Sequence, residues 1–192
     1  MVISTFEFNK SQCNFDTVHK DVLALFGCNR AYQNVLYMAI DNRLIVQSDI
    51  MPQKPSSTLR LMNTKNCDQC LTNIKSGDIV KLFAVYEPTK KQARKDRNST
   101  NISLKNESER KDWVKRKWLT AGVIIAINEV SKRKVTVHKN DDTYHELFLY
   151  SYEFLLQAKD ANEFRKLIKA GIGRSKSYGA GLSLVMGVQR VQ

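Results

Sequence analysis

The runs VISTFEF (residues 2–8) and DTVHKDVLALFG (16–27) set the architecture. In the first, Ile3, Thr5 and Glu7 alternate with Val2, Ser4, Phe6 and Phe8, a period of two that predicts a strand. In the second, Val18, Val22, Leu25 and Phe26 recur at i, i+4, i+7 and i+8 and form one apolar stripe of a helix. Asp16 can cap that helix and Gly27 can end it. Two strands follow, at 34–40 and 44–47. They are joined by Asp41-Asn42-Arg43, whose first two residues tolerate left-handed turn geometry. Pro52 and Pro55 end the hairpin. Residues 56–77 leave a strand and a short helix open, and 79–86 alternates as a further strand.

Read outward, this succession is β-α-β-β-α-β, the ferredoxin-like pattern. The second half varies the theme. A helix is expected over 108–121, with Trp113, Val114, Trp118 and Ala121 as its buried stripe. Strands are expected at 123–130 and 134–138, with Ser131-Lys132-Arg133 as their turn, and a long strand at 144–156. Asp160 and Glu163 have the spacing of a capping box. Phe164, Leu167 and Ile168 give that helix a core face, Gly171 closes it, and a strand at 182–188 ends the chain. The expected fold is α+β: two tandem ferredoxin-like domains, 1–88 and 108–192, around a basic linker at 89–107.

Composition narrows the function. Of 192 residues, 42% are hydrophobic and 26% charged, which excludes a collagen-like or wholly disordered chain. No run of 18 apolar residues predicts a membrane span. The N-terminus alternates apolar and polar residues without a basic segment ahead of an apolar one, so a cytoplasmic protein is expected. The net charge of +12 calls for a polyanionic partner. Residues 89–118 hold eleven basic side chains against four acidic ones, a net +7. Arg94, Lys95, Lys115 and Arg116 within it are candidate contacts to nucleic-acid phosphates. The basic residues do not line one helix opposite Trp or Phe, which argues against a membrane surface. Cys67 and Cys70 form a lone C-x-x-C without a second pair at zinc spacing; with Cys13 and Cys28 they read as free thiols.

The densest chemical signal is GIGRSKSYGAG (171–181), which holds four of the eight glycines. Glycines let a backbone turn tightly against an anion, and Arg174 and Lys176 add charge-assisted bonds to phosphate oxygens. Gly171, Gly173, Ser175 and Ser177 complete the candidate cradle. No Walker loop or dinucleotide fingerprint is present, because the loop follows a helix and lacks both spacings.

Extended to GIGRSKSYGAGLSLV (171–185), the string closely resembles the C-terminal glycine-rich loop of the repeat-associated RNA-processing proteins of CRISPR systems, in their CasE (type I-E) endoribonuclease subgroup. Val18-His19-Lys20, Leu44-Ile45-Val46-Gln47-Ser48 and Asp112-Trp113-Val114-Lys115-Arg116-Lys117 resemble family motifs in the same order along the chain. The resemblance implies a metal-independent endoribonuclease that cuts CRISPR precursor RNA at the 3′ base of each repeat stem-loop. It implies that the protein then stays on the hairpin as a subunit of the Cascade complex, beside other Cascade subunits. It implies no metal, no small-molecule cofactor and no membrane partner. His19 matches the family's catalytic position, with Lys20 beside it as a cation for phosphate. A basic hairpin of the second domain is expected in the groove of the RNA stem, with Lys132, Arg133, Lys134 and Lys139 as candidates.

The chemistry can be argued from the substrate. RNA carries its own nucleophile in the 2′-OH, so a metal-free cut needs a base, an acid and cations around the phosphorane. Histidine suits proton transfer near neutral pH. His19 is expected in the first turn of its helix, where the dipole favours the neutral imidazole a base requires. The chain departs from the family at two points. Asp16 stands where some relatives carry a tyrosine, leaving Tyr32 or Tyr37 as substitutes, and Lys20 replaces a frequent arginine. His138 and His145 flank the expected hairpin tip at 139–143 and read as exposed polar positions. A non-catalytic RNA-hairpin-binding protein of the same fold is the alternative reading.

Overall fold

The computed structural model describes residues 1–8, 15–27, 34–54, 56–93, 100–140 and 143–190. Cys13, Cys28, Tyr32, Arg94 and Lys95 lie outside them.

β1 (Val2–Phe8), β2 (Leu36–Ile40), β3 (Arg43–Ser48) and β4 (Leu59–Asn66) form an antiparallel sheet in the order β2-β3-β1-β4. The register pairs Val2 with both Ser48 and Asn66. The alternation read in β1 is real: Val2, Ser4, Phe6 and Phe8 are buried, their neighbours only partly so. α1 (Phe15–Ala24) lays Val18 and Val22, with Leu25 and Phe26 just beyond, against Phe6, Phe8, Tyr37, Leu44 and Val46. Asp41 turns the β2–β3 hairpin at φ 53°. Among the described residues no helix joins β3 to β4. The connection crosses under α1, where the backbone N–H groups of Gln53 and Lys54 donate to the Leu25 carbonyl at 2.8 and 3.1 Å. Those bonds satisfy a helix-end acceptor that would otherwise be orphaned. α2 (Asp68–Thr72) follows β4, with Cys67 at its cap and both Cys67 and Cys70 as free thiols.

The second sheet has the order β10-β5-β9-β8, from β5 (Ile79–Tyr86), β8 (Gly122–Asn140), β9 (Thr143–Ala158) and β10 (Ser183–Gln189). Together with α3 (Glu107–Trp118) and α4 (Ala161–Ala170) it forms a complete β-α-β-β-α-β unit. The expected strand at 79–86 therefore exists but opens the second unit; β4 closes the first. The 1–88 and 108–192 partition does not follow the sheets, because alternation alone carries no information about which sheet a strand joins.

Trp113, Val114, Trp118 and Ala121 pack with Tyr86, Tyr152, Phe154, Phe164 and Ile168 in the core of this unit. The Trp118 indole donates to the Tyr86 hydroxyl at 3.1 Å, and that hydroxyl lies 2.6 Å from Ser183 Oγ. Asp160 caps α4 by accepting from the backbone of Asn162 and Glu163. Two expectations change. The basic linker expected at 89–107 holds β6 (Thr89–Gln92) and β7 (Thr100–Ser103), paired with each other. The expected turn at Ser131-Lys132-Arg133 is instead continuous strand, pairing with Ser151, Tyr150 and Leu149. Its cationic composition imitates a turn, but β-bulges, one between Glu129 and Ser131, bend β8 without breaking the ladder.

That bend carries the far half of the β8–β9 hairpin onto the first sheet. Val135, Val137, Leu147 and Leu149 meet Leu36 and Met38 there, and Ala180 and Leu182 join them. The two sheets and the glycine-rich segment thus share one buried layer.

Candidate nucleic-acid interface

The glycine-rich segment is tied at its neck. Gly171 ends α4 at φ 69°, with its N–H on the Leu167 carbonyl. The Ile172 N–H donates to Gly181 at 2.9 Å, and the Gly181 N–H donates to Val85 at 2.7 Å. Between these ties a 3-10 turn spans Lys176–Tyr178. Gly173 stands at φ 85°, and a Cβ there would meet the Trp113 ring at 2.9 Å. Gly179 stands at φ 83° with the Tyr37 ring 3.3 Å from the same virtual position. Both positions therefore disfavour a side chain for backbone and steric reasons together.

Side chains complete the scaffold. The hydroxyl of Tyr37, 1% exposed, donates to the Ser177 carbonyl. Lys176 Nζ donates to the Ala170 carbonyl at 2.7 Å. Ser175 sits in the left-handed region at φ 56°. That conformation costs a non-glycine residue about 1–2 kcal/mol. The Ser175 hydroxyl donates to Glu87 Oε2 at 2.5 Å. A hydrogen bond to an ionised group contributes about 1.5–3 kcal/mol, enough to offset the strain. Glu87 is 7% exposed, and burial raises its carboxyl above the ordinary value, opposed by the Ser175 bond and by the charges of Arg174 and His145. Ser175, expected on phosphate, is thus turned inward.

α1 packs against both the 3-10 turn and β8. On that helix His19 is half-buried and Lys20 exposed. The helix begins at Phe15, so Asp16 lies inside it and His19 lies past its first turn. The dipole effect expected on His19 is correspondingly weak, because it fades beyond that turn.

The hairpin cations divide. Lys132 Nζ sits over the Phe148 ring, 4.6 Å from its centroid, and Lys134 pairs with Glu146. Arg133 turns inward, and its Nη1 donates to the Ala39 carbonyl at 3.1 Å. Burial holds its guanidinium below the ordinary value, partly opposed by Tyr37. Its Nη1 is thus committed to the first sheet. The Lys139 and His138 side chains lie outside the described residues. His145 is half-buried rather than exposed, with its ring edge-on to Tyr178 at 6.3 Å.

Trp113 places α3 directly beneath Gly173. Lys115 and Arg116 are exposed on that helix, Lys115 at 3.5 Å from Asp112. Arg110 points the other way: it forms a buried pair with Glu129 at 2.6 Å and lies 4.2 Å from the centroid of the Tyr150 ring. Sequence reasoning missed Glu87. Its only signal was one acidic residue, followed by Pro88, at the end of an apolar strand.

The fold and the site define a class: a tandem ferredoxin-like protein that joins a histidine-bearing helix, a glycine-rich turn and a cationic hairpin. The chain belongs to the CRISPR-associated protein family, whose model matches residues 3–186. It is similar in fold to CRISPR-associated protein Cas6e from Escherichia coli K-12, with a TM-score of 0.80, 18% identity and 100% of each chain covered. CRISPR endoribonuclease Cse3 bound to a 19-nucleotide RNA gives 0.81 at 14% identity, covering 99% of this chain and 100% of that one. Thermus thermophilus Cse3, bound to an RNA representing a pre-cleavage complex, gives 0.79 at 13% identity with 98% of each chain covered. A chain of a CRISPR RNA-guided surveillance complex gives 0.75 at 16% identity over 100% of each chain. No curated protein shows significant sequence similarity to the chain. Among the described residues no helix is long and apolar enough to cross a membrane.

Proposed function

We propose that the protein is an endoribonuclease that cuts CRISPR precursor RNA at the 3′ base of the repeat stem-loop without a metal ion, and then remains on the hairpin as a Cascade subunit. The observation that carries this reading is the packing of the His19 helix against the Lys176–Tyr178 turn. On this reading His19 supplies the proton-transfer group and the turn supplies the cations that one substrate needs. Family membership and the RNA-bound and surveillance-complex proteins of the same fold support it.

In this mechanism His19 takes the proton of the 2′-OH at the cut. The 2′ oxygen attacks the adjacent phosphorus and the P–O5′ bond breaks, leaving a 2′,3′-cyclic phosphate and a 5′-OH end. The leaving oxygen takes up one proton as the hydroxyl gives one up, so the reaction is proton-neutral overall. Lys20, Arg174 and Lys176 stabilise the charge that gathers on the phosphorane. Exposed cations on α3 and the hairpin hold the stem through phosphates and shape.

Incubation of a repeat RNA in EDTA with the wild type and with His19→Ala tests the reading. Cutting should be lost in the variant while hairpin binding stays, and a deoxy substitution 5′ of the cut should block the wild type. One observation favours the second reading, a hairpin-binding protein that does not cut. Tyr37, the substitute within the described residues for the missing tyrosine, is buried and committed to Ser177. A wild type that binds the repeat and leaves it whole would establish that alternative.

A further inference from the structure

Glu87 is the buried acid of the site, and its place is unexpected. A loop that receives an RNA phosphate gains nothing from a carboxylate beneath it, since like charges repel. Yet Glu87 lies just past β5, one residue beyond Tyr86 at the strand's end, where Val85 accepts from Gly181 and donates to Leu182 at 3.3 Å. β5 therefore grips the exit of the glycine-rich segment through its backbone and the middle through the Glu87 side chain.

The bond from Ser175 Oγ to Glu87 Oε2 spans 88 positions of sequence. Ser175 is the residue where the chain turns left-handed, and its carbonyl then accepts from Tyr178 at 2.9 Å and Ala180 at 3.3 Å. Rotating Ser175 out of that conformation would dissolve the turn that carries Lys176 and Ser177. The neighbouring Arg174 and His145 act on the carboxylate with favourable charge, so its own charge is partly answered before RNA arrives.

We propose that Glu87 is the positioning residue of the glycine-rich loop: by accepting the Ser175 hydroxyl it fixes residues 173–178 in the form that meets the phosphate at the cut. This rests on the endoribonuclease reading. Glu87 touches no substrate; it acts through Ser175.

Single-turnover cleavage of the repeat RNA, hairpin binding and thermal unfolding are measured for the wild type, Glu87→Ala, Glu87→Gln, Ser175→Ala and the Glu87→Ala/Ser175→Ala pair. Glu87→Ala should slow cutting about 10- to 100-fold, the scale of a reacting group displaced by an ångström. Hairpin affinity should change by less than about threefold, because most phosphate contacts lie elsewhere. Glu87→Gln keeps an acceptor of the same shape and should restore the rate to within about threefold of wild type. Ser175→Ala should match Glu87→Ala, and the pair should be no worse than either alone, as for partners in one interaction.

Cutting by Glu87→Ala within about twofold of wild type overturns the proposal, as does a glutamine variant as slow as the alanine variant or multiplicative effects in the pair. If Glu87→Ala fails to fold, Ser175→Ala and Glu87→Gln carry the comparison. If the wild type itself does not cut, the endoribonuclease reading has failed and the loop is read directly by amide hydrogen exchange. Faster exchange at 173–180 in either alanine variant, with β5 and β10 unchanged, sustains the positioning role. Unchanged exchange at 173–180 removes it.

Discussion

Arg133 and Ala39 join the two sheets: the guanidinium Nη1 donates to the backbone carbonyl at 3.1 Å across 94 positions of sequence. Ala39 belongs to β2, an edge strand whose outer carbonyls would otherwise lack ladder partners. The hairpin residue expected to reach out to RNA instead closes that edge.

Arg133→Ala should therefore act on stability. It leaves a buried carbonyl unsatisfied and should cost about 1–3 kcal/mol in urea unfolding. The dependence of RNA affinity on salt should keep the wild-type slope. A flatter slope without loss of stability would return Arg133 to the RNA surface.

Glu87 gives a pH signature with a definite sign. Burial raises its carboxyl in the folded state. An unfolded glutamate titrates near 4.3. Between the unfolded and folded values the folded state holds more protons, so stability falls as pH rises through that window. The favourable contribution is complete below the unfolded value and is lost as pH climbs through the folded one. Glu87→Gln has no such loss. Its stability relative to wild type should thus improve from about pH 4 up to the folded value and level off above it, read by urea unfolding at each pH. A gap that does not change with pH would show that Glu87 ionises alike in both states.

The fold was legible where side-chain period decides the matter. β1, α1, α4 and the tryptophan stripe of α3 follow from spacing of two or 3.6, and the start of α4 from its cap Asp160. Strand membership was not legible, since Ile79–Tyr86 alternates equally well in either sheet. The Ser131-Lys132-Arg133 stretch misled because its cations are satisfied by distant partners: an aromatic ring for Lys132 and a carbonyl of the other sheet for Arg133. The glycine-rich segment announced itself by composition, but the residues that hold it, Tyr37 and Glu87, sit 140 and 88 positions from their partners.

Glycine substitutions should separate the loop from the strand beside it. Gly179→Ala places a Cβ at φ 83° and 3.3 Å from Tyr37, and should cost about 1–2 kcal/mol from the backbone alone. Cleavage should slow, with hairpin affinity changed by less than about threefold. Gly187→Ala, in β10 with nothing within 4 Å, should leave binding unchanged and stability nearly so. Equal effects at the two positions would mean that the left-handed turn is irrelevant to the site.

The basic helix offers the sharpest check on where the stem lies. Each phosphate neutralised releases counterions, so log K falls linearly with log salt. Lys115 and Arg116 are exposed on α3, which Trp113 anchors beneath Gly173. Replacing both with alanine should reduce the magnitude of the slope by about two if each meets a phosphate. Lys111, tied to Glu107 at 2.6 Å and less exposed, is the internal control and should leave it unchanged. A double variant with the wild-type slope would move the stem off α3 and onto the glycine-rich segment and α1, where Arg174→Ala and Lys20→Ala should then account for the lost counterions.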